Sequence, residues 1–226
     1  MSSQSIEDYI KAIFQIGSGD SRVQTSAIAE RLDVRPASVS NMMRRLTKLG
    51  LVEHEPYRGV TLTEEGDRLA RRMIRRHRLI ERFLSEYLEY RWDEVHAEAE
   101  SVEHAVSQRF VEALDLLLQN PRTDPHGAPI PASDGSMVEP GYPRLSELEV
   151  GEMAVVRRVR DSDAELLRRL GELGVRPNAD LEIIELGPQG DPVTLRVGDR
   201  ICHLGQAAAR SVFVERFPGQ AAQRSR

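Results

Sequence analysis

Residues 26–62 constrain the fold of this chain more than any other stretch. Their pattern indicates a helix over residues 26–32, a turn over 33–35, a second helix that begins at Pro36 and ends before Gly50, and two extended runs around the letters EPYRG. Proline suits the first position of a helix, and glycine suits the position just past a helix end. A helix, a turn, a helix and a β-hairpin in this order predict a winged helix-turn-helix.

The second of these helices would present hydrogen-bond donors to DNA. Polar residues fill its amino-terminal half, where donors reach base edges, and basic residues near its end and in the hairpin can reach phosphates. A helix-turn-helix that contacts only protein is the alternative interpretation. The predicted DNA-contact residues are Arg35, Pro36, Ala37, Ser38, Ser40, Asn41, Arg44, Arg45, Lys48, Tyr57 and Arg58, with the last two at the tip of the wing.

Charge is distributed unevenly along the chain. Residues 1–80 carry 14 Lys+Arg against 10 Asp+Glu, residues 81–140 carry 4 against 13, and residues 141–226 carry 13 against 13, so the three net charges are +4, −9 and 0. The basic first part suits a polyanionic partner, whereas the acidic middle part indicates a different role.

Two long helical patterns follow the winged helix, over residues 64–89 and 93–119. Apolar residues recur in both at helical spacing. Two such helices commonly form a dimer interface, and packing within one chain is the alternative. The apolar residues are Leu79, Ile80, Phe83 and Leu84 in the first pattern and Val102, Val106, Phe110, Leu114 and Leu117 in the second.

The remainder indicates a small β domain that follows a linker or an ordered loop. Residues 121–145 hold six prolines, and beyond them four short β-like runs alternate with the helix AELLRRLGEL, which is typical of a small barrel. The predicted fold is mainly α with a small β domain. Its parts are a winged helix-turn-helix over residues 1–72, a helical dimerisation domain over 73–140 and an SH3-like barrel over 145–217.

Carboxylates and imidazoles cluster in the acidic helical part. In EAESVEHAVS a helix would place Glu100, Glu103 and His104 on one face, and RRHRLIE places His77 four residues before Glu81. Two carboxylates about 4 Å apart repel by roughly 4 kcal/mol at an effective dielectric near 20, and a cation removes that penalty. Mixed oxygen and nitrogen donors suit a divalent ion such as manganese or iron, although such spacings also occur by chance on solvated helices.

In combination these motifs resemble the diphtheria-toxin-repressor family of metal-dependent transcriptional regulators, above all its manganese-responsive, three-domain branch. The resemblance covers residues 4–217 and rests on EDYIKAIFQI, IAERLDVRPASVSNMMRRLTKLGLV, YRGVTLTEEG, RRHRLIERFL, VHAEAESVEHAVS and DPHGAPIP, in this order. The C-terminal segment is similar to the SH3-like domain of ferrous-iron transport accessory proteins. The resemblance implies a homodimeric repressor of metal-ion uptake genes that binds palindromic operator DNA when loaded with Mn(II), with recognition helices about 34 Å apart.

By position, the resemblance implies a primary metal site in the 73–140 domain and the first helix, at Asp8, His77, Glu100, Glu103 and His104. The iron-responsive branch has a thioether and a thiol in place of Asp8 and Glu100, and the carboxylates here are harder donors that favour manganese. The two-domain manganese regulators carry a further carboxylate where this chain has Lys11. That difference argues against a close binuclear site.

The resemblance also implies a second metal site that the C-terminal domain completes. Its ligands would be Glu81, Asp124, His126 and Asp161, with Asp163 and Glu165 as alternatives to Asp161. Ordinary turn chemistry in TDPHG is the other explanation of Asp124 and His126. His96 matches an ancillary ligand of the iron-responsive branch, and here we expect it beside the ligands or at the surface.

Three other functions stay open. The effector could be Fe(II), because availability in the cell also selects the metal. A winged-helix regulator that ignores metal explains residues 1–72 equally well. A metallohydrolase is disfavoured, because five protein ligands leave little room for an activated water and no nucleophile motif accompanies them. We therefore expect no enzymatic activity and no organic substrate.

The sequence also bears on the compartment. No run of about 18 apolar residues occurs and the chain does not start with a charged-then-apolar signal pattern, so we expect neither a membrane span nor a secretion signal and predict a cytoplasmic protein. The single cysteine, Cys202, cannot form an intramolecular disulfide. It lies in an alternating apolar segment, where we expect a buried structural role rather than a redox sensor.

Overall fold

The computed structural model describes residues 3–17, 22–55 and 57–217. The chain divides into two compact units, Met1–His77 with Pro131–Met137, and Arg78–Ile130 with Val138–Arg226. The boundaries that the sequence suggests near residues 72, 140 and 145 stay predictions.

The first unit contains the helix-turn-helix and its wing. The helices are α1 (Ser3–Ile16), α2 (Thr25–Arg31), α3 (Pro36–Lys48) and the first part of α4 (Glu64–Tyr87), and the hairpin joins β1 (Val52–Glu55) to β2 (Gly59–Leu62). Pro36 occupies the first turn of α3, as its fixed φ angle favours. The core of this unit includes Ile10, Ile28, Met42 and Val60. The predicted winged helix-turn-helix is confirmed.

The helical part of the second unit differs from the sequence prediction. The predicted single helix over residues 93–119 is wrong. Two shorter helices are present, α5 (Val95–Val102) and α6 (Gln108–Leu117). The side chain of Ser107 accepts a hydrogen bond from the backbone N–H of Phe110 and so begins a new helix. Glu100 therefore lies on α5, but Glu103 caps its end and His104 lies in the turn beyond it.

The C-terminal part of the second unit is a five-stranded antiparallel sheet, which confirms the predicted β domain. Its elements are β3 (Met153–Val159), α7 (Ala164–Glu172), β4 (Asp180–Leu186), β5 (Val193–Val197), β6 (Arg200–Leu204), α8 (Gln206–Ala209) and β7 (Val212–Arg216). The strand order is β6-β5-β4-β3-β7. Cys202 is buried in the core of this sheet, where burial raises the pKa of its thiol.

The proline-rich segment is an ordered loop in its first half. Asp124 N donates to the Ala128 carbonyl at 3.0 Å, and Val159 N on β3 donates to the His126 carbonyl at 2.8 Å. Gly127 has a φ of +85°, and a Cβ there would lie 1.9 Å from the carbonyl oxygen of Arg157. The loop over residues 122–130 is therefore fixed against β3 by backbone contacts that only glycine permits. Among the described residues, no helix is long and apolar enough to cross a membrane.

Candidate metal centre and nucleic-acid interface

Four potential metal ligands converge in the second unit. Glu81 on α4, Asp124 and His126 on the 122–130 loop, and Asp161 after β3 each offer one donor atom, and these atoms lie within 4.8 Å of one another. Donors to one divalent ion lie about 2.0–2.2 Å from it, and so at most about 4.4 Å from one another. Only small movements would bring this group, which we call the secondary set, around one cation.

The imidazole of His126 is oriented as that of a metal ligand. Its Nε2 lies 2.7 Å from the carbonyl oxygen of Trp92, and because a carbonyl can only accept, Nε2 carries the proton. In the neutral imidazole Nδ1 then holds the lone pair, and this atom is buried without a hydrogen-bond partner among the described residues. Metal-binding histidines typically donate their other ring N–H to such an acceptor.

The carboxylate of Asp124 is also prepared for a cation. Oδ1 accepts the backbone N–H groups of His126 at 2.8 Å and Ala128 at 2.9 Å, which fixes the group in the loop. Oδ2 is buried and, within the described part of the chain, accepts no hydrogen bond. Burial, and after it the negative charge of Glu81, raises the pKa of Asp124 to about 6, while Arg78 acts in the opposite direction. Buried carboxylates this close together fit a site for a divalent cation.

The remaining candidates for this set are placed differently. Asp163 caps α7, where its Oδ1 accepts from the N–H groups of Glu165 and Leu166, each at 3.0 Å. Asp163 and Glu165 are both exposed. His96 Nδ1 lies 3.0 Å from Glu81 Oε1 and 3.9 Å from Asp161 Oδ2. His96 thus lies beside the secondary set, and Asp161 rather than Asp163 or Glu165 belongs to it.

Two residues of the predicted primary site lie in the first unit. Asp8 is half-buried on α1, and His77 is buried on α4. The ammonium of Lys11, a residue only 6% exposed, lies 3.1 Å from Nδ1 of His77. A positive group therefore occupies the position at which a further carboxylate would be needed for a binuclear site.

The other three predicted primary ligands lie in the second unit. Glu103 is buried, and its Oε1 is 3.7 Å from Nε2 of the half-buried His104. Glu100 is exposed, and its Oε1 is 3.5 Å from Nε2 of His96. The joint coordination of one ion by all five residues stays a prediction from the sequence.

Sequence reasoning missed two residues that touch the secondary set. Arg78 lies one helical turn before Glu81, and its Nε is 3.5 Å from Asp124 Oδ2. That i, i+3 spacing on an amphipathic helix was the available signal. Trp92 supplies the carbonyl that orients His126, and no sequence signal marks a backbone contact.

The predicted DNA-contact residues lie on the solvent side of α3 and on the wing. Val39, Met42, Met43 and Leu46 form the buried face of α3. On the other face Arg44 donates a hydrogen bond to Asn41 Oδ1, which aligns two side chains able to contact bases. Of the predicted set, Ser38 is half-buried and all the other residues are exposed, with the side chain of Tyr57 fully exposed. The set is Arg35, Pro36, Ala37, Ser38, Ser40, Asn41, Arg44, Arg45, Lys48, Tyr57 and Arg58.

Known families and proteins match most of the chain. Residues 1–60 match the iron dependent repressor N-terminal DNA binding domain, residues 63–132 its metal binding and dimerisation domain, and residues 144–216 the FeoA domain. The iron-dependent repressor IdeR of Mycobacterium tuberculosis is 35% identical over 93% of this chain and 96% of its own length. The regulator MntR of Lysinibacillus sphaericus is 34% identical over 53% of this chain and 85% of its own length.

A solved structure is similar over nearly the whole fold. A manganese-dependent transcriptional repressor in complex with manganese superposes with a TM-score of 0.86 at 37% identity, over 94% of this chain and all of that one. The three domain matches occur in the order that the motifs indicated. The chain belongs to the diphtheria-toxin-repressor family of metal-dependent transcriptional regulators.

Proposed function

We propose that this chain is a Mn(II)-responsive repressor that binds palindromic operator DNA as a homodimer in the cytoplasm and controls metal-ion uptake genes, and that it is a regulator rather than an enzyme. The observation that carries the proposal is the buried Nδ1 lone pair of His126 among the carboxylates of Glu81, Asp124 and Asp161. Oxygen and imidazole donors without a thiolate favour Mn(II) or Fe(II) over softer metals. The similarity to a manganese-dependent repressor supports Mn(II).

The proposed effector site is the primary set, Asp8, His77, Glu100, Glu103 and His104. These residues come from both the DNA-binding and the dimerisation parts of the sequence, so metal binding and operator binding would be thermodynamically linked. A coupling of about 1–3 kcal/mol is ordinary for such a link. The same free energy must then appear as tighter metal binding by the operator-bound protein.

Operator binding titrated separately with Mn(II) and Fe(II), without oxygen, tests this function. We expect Mn(II) to promote binding, and we expect Glu103→Ala to remove the metal response while the protein stays a folded dimer. Glu112→Ala is the matched control, because Glu112 is an exposed glutamate on α6 outside both predicted sets. A Glu103→Ala protein that still responds to metal would show that the primary set is wrong.

Fe(II) is the second candidate effector, because IdeR, an iron-dependent repressor, is similar over most of the chain. An operator affinity that rises at lower concentrations of Fe(II) than of Mn(II) would favour it. A regulator that ignores metal is tested by calorimetry with Mn(II) on the DNA-free protein, where absence of binding heat would support it.

A further inference from the structure

Arg78 is a buried cation beside the secondary set. Its side chain is 11% exposed, its Nη1 donates to the carbonyl oxygen of Pro129, and its Nε lies 3.5 Å from Asp124 Oδ2. Arginine side chains are permanent cations in proteins. Arg78 therefore places a permanent positive charge at the oxygen that Asp124 would offer to a metal.

The formal charges of the group show what this cation does. Glu81, Asp124 and Asp161 contribute three negative charges, and His126 is neutral when only Nε2 is protonated. Without Arg78 the formal charge is −3, and with Arg78 it is −2. Glu81 and Asp124 are within the buried part of the unit, where charges are weakly screened. One unit of charge then changes the attraction for a divalent cation substantially.

Asp124 is held in its loop by contacts other than the one with Arg78. Oδ1 already accepts the two N–H groups of His126 and Ala128, and this turn holds the carboxylate in place. Loss of Arg78 would thus change the charge of the set more than its geometry. The change in charge therefore determines whether loss of Arg78 strengthens or weakens metal binding.

On the basis of the proposed function, we infer that Arg78 is an affinity-setting residue, an internal counter-cation that stabilises the metal-free secondary set and limits its affinity for a divalent cation. Two effects of opposite direction follow from its removal. The metal-free protein becomes less stable, because buried carboxylates lose a positive neighbour. The metal-bound protein loses less, because the cation takes over the neutralisation, so metal affinity rises.

The test titrates the full-length protein with Mn(II) and follows the fluorescence of Trp92, the chain's single tryptophan, which lies beside His126. Arg78→Met should lower the half-saturating Mn(II) concentration on the order of tenfold or more. Arg78→Met should also lower the melting temperature of the metal-free protein. Mn(II) should then raise the melting temperature of this variant by more than it raises that of the wild type. Arg78→Lys keeps the charge and should bind Mn(II) with nearly wild-type affinity.

Arg168→Met is the matched control, because Arg168 pairs with the buried carboxylate of Asp93 at 3.3 Å, outside the secondary set. It should lower the melting temperature and leave the half-saturating concentration unchanged. Should Arg78→Met not fold without metal, Arg78→Gln, which keeps a donor for Pro129, takes its place with the same expectations. Unchanged or weaker Mn(II) binding by the neutral variant would overturn the role of Arg78. Absence of any saturable response in the wild-type protein would instead overturn the secondary set itself.

Discussion

The imidazole of His126 lies 5.8 Å, centre to centre, from the indole of Trp92, and its Nε2 donates a 2.7 Å hydrogen bond to the Trp92 carbonyl. Trp92 in turn packs in the core of the C-terminal sheet, and the guanidinium of Arg176 lies 5.2 Å from its ring centre. A candidate ligand is thus held by a residue anchored in that core. Binding at Nδ1 of His126 would change the surroundings of the indole.

Mn(II) should therefore quench the fluorescence of Trp92 in a saturable manner. His126→Gln should abolish the saturable phase or raise its midpoint by more than about tenfold, because the buried imidazole donor is lost. His203→Gln is the control, since His203 is exposed on β6 and its Nδ1 lies 3.0 Å from the Thr194 hydroxyl. The same quenching curve for wild-type and His126→Gln proteins would place the cation elsewhere.

Gly127 is the point at which the ligand-bearing loop meets β3. Gly127→Ala should lower the free energy of unfolding by at least about 3 kcal/mol, because the new Cβ meets the Arg157 carbonyl at 1.9 Å and the φ is +85°. It should also weaken the Mn(II) response of Trp92, because Asp124 and His126 move with the loop. Urea unfolding and the fluorescence titration measure the two effects.

Gly135→Ala separates backbone strain from the steric clash. Gly135 has a φ of +84° but nothing within 4 Å of its Cβ position, so this substitution should cost only about 1 kcal/mol. Equal losses in the two variants would mean that contact of Gly127 with β3 does not hold the loop.

Local chemistry in the sequence was sufficient for the winged helix and for most of the sheet. Pro36 and Gly50 mark helix ends whatever the tertiary context is. The break between α5 and α6 was missed because apolar periodicity runs through it, whereas the break depends on one side-chain hydrogen bond from Ser107. β6 was missed although Gly198 and Asp199, between two alternating runs, form a recognisable hairpin signal.

The sequence predicted only those parts of the candidate site that depend on the identity of side chains. Family resemblance indicated Glu81, Asp124, His126 and Asp161, and the structure brings these four residues together. Trp92 contributes its backbone carbonyl oxygen, a group that every residue has, so the sequence could not indicate this contact. The i, i+3 spacing from Arg78 to Glu81 could have marked Arg78, but its contact with Asp124 joins positions far apart in the chain and is seen only in the structure.

Asp93 should make the stability of the second unit depend on pH. Burial raises its pKa, but hydrogen bonds from its own backbone, Arg168 and Arg91 outweigh burial, so the pKa lies below the ordinary value. A carboxylate whose pKa is lowered in the folded state stabilises the protein above about pH 4. This stabilisation is lost as the pH falls further. Asp93→Asn should therefore cost about 1–3 kcal/mol at pH 7, and the difference from wild type should shrink below about pH 4.

Unfolding by urea at several pH values measures this difference. Asp199→Asn, which changes an exposed carboxylate in the turn between β5 and β6, should have little effect at any pH. A deficit of Asp93→Asn that stays constant down to pH 3 would mean that the ion pair with Arg168 does not contribute.

An exposed apolar patch on α6 and the end of α4 should form the dimer interface. Leu116 is 72% exposed and Phe110 is 42% exposed, within the matched dimerisation domain. A twofold interface places each substitution on both subunits, so Leu116→Glu should bury two charges and yield monomers in sedimentation experiments. Val138→Glu, at an apolar residue 82% exposed outside that domain, should stay dimeric. A dimeric Leu116→Glu protein would move the interface away from α6.

Substitutions on the exposed face of α3 should distinguish residues that recognise bases from residues that attract phosphates. Arg44→Ala should cost about 1–3 kcal/mol on the operator and much less on unrelated DNA, because Arg44 and Asn41 are aligned for base edges. Lys48→Ala should weaken binding to both DNAs alike and lower the slope of log affinity against log salt by about 1. Arg31→Ala is the charge-matched control, because Arg31 is an exposed residue of α2 that is hydrogen-bonded to Gln15. Fluorescence anisotropy at several salt concentrations distinguishes the three, and equal losses on both DNAs for Arg44→Ala would remove this residue from base recognition.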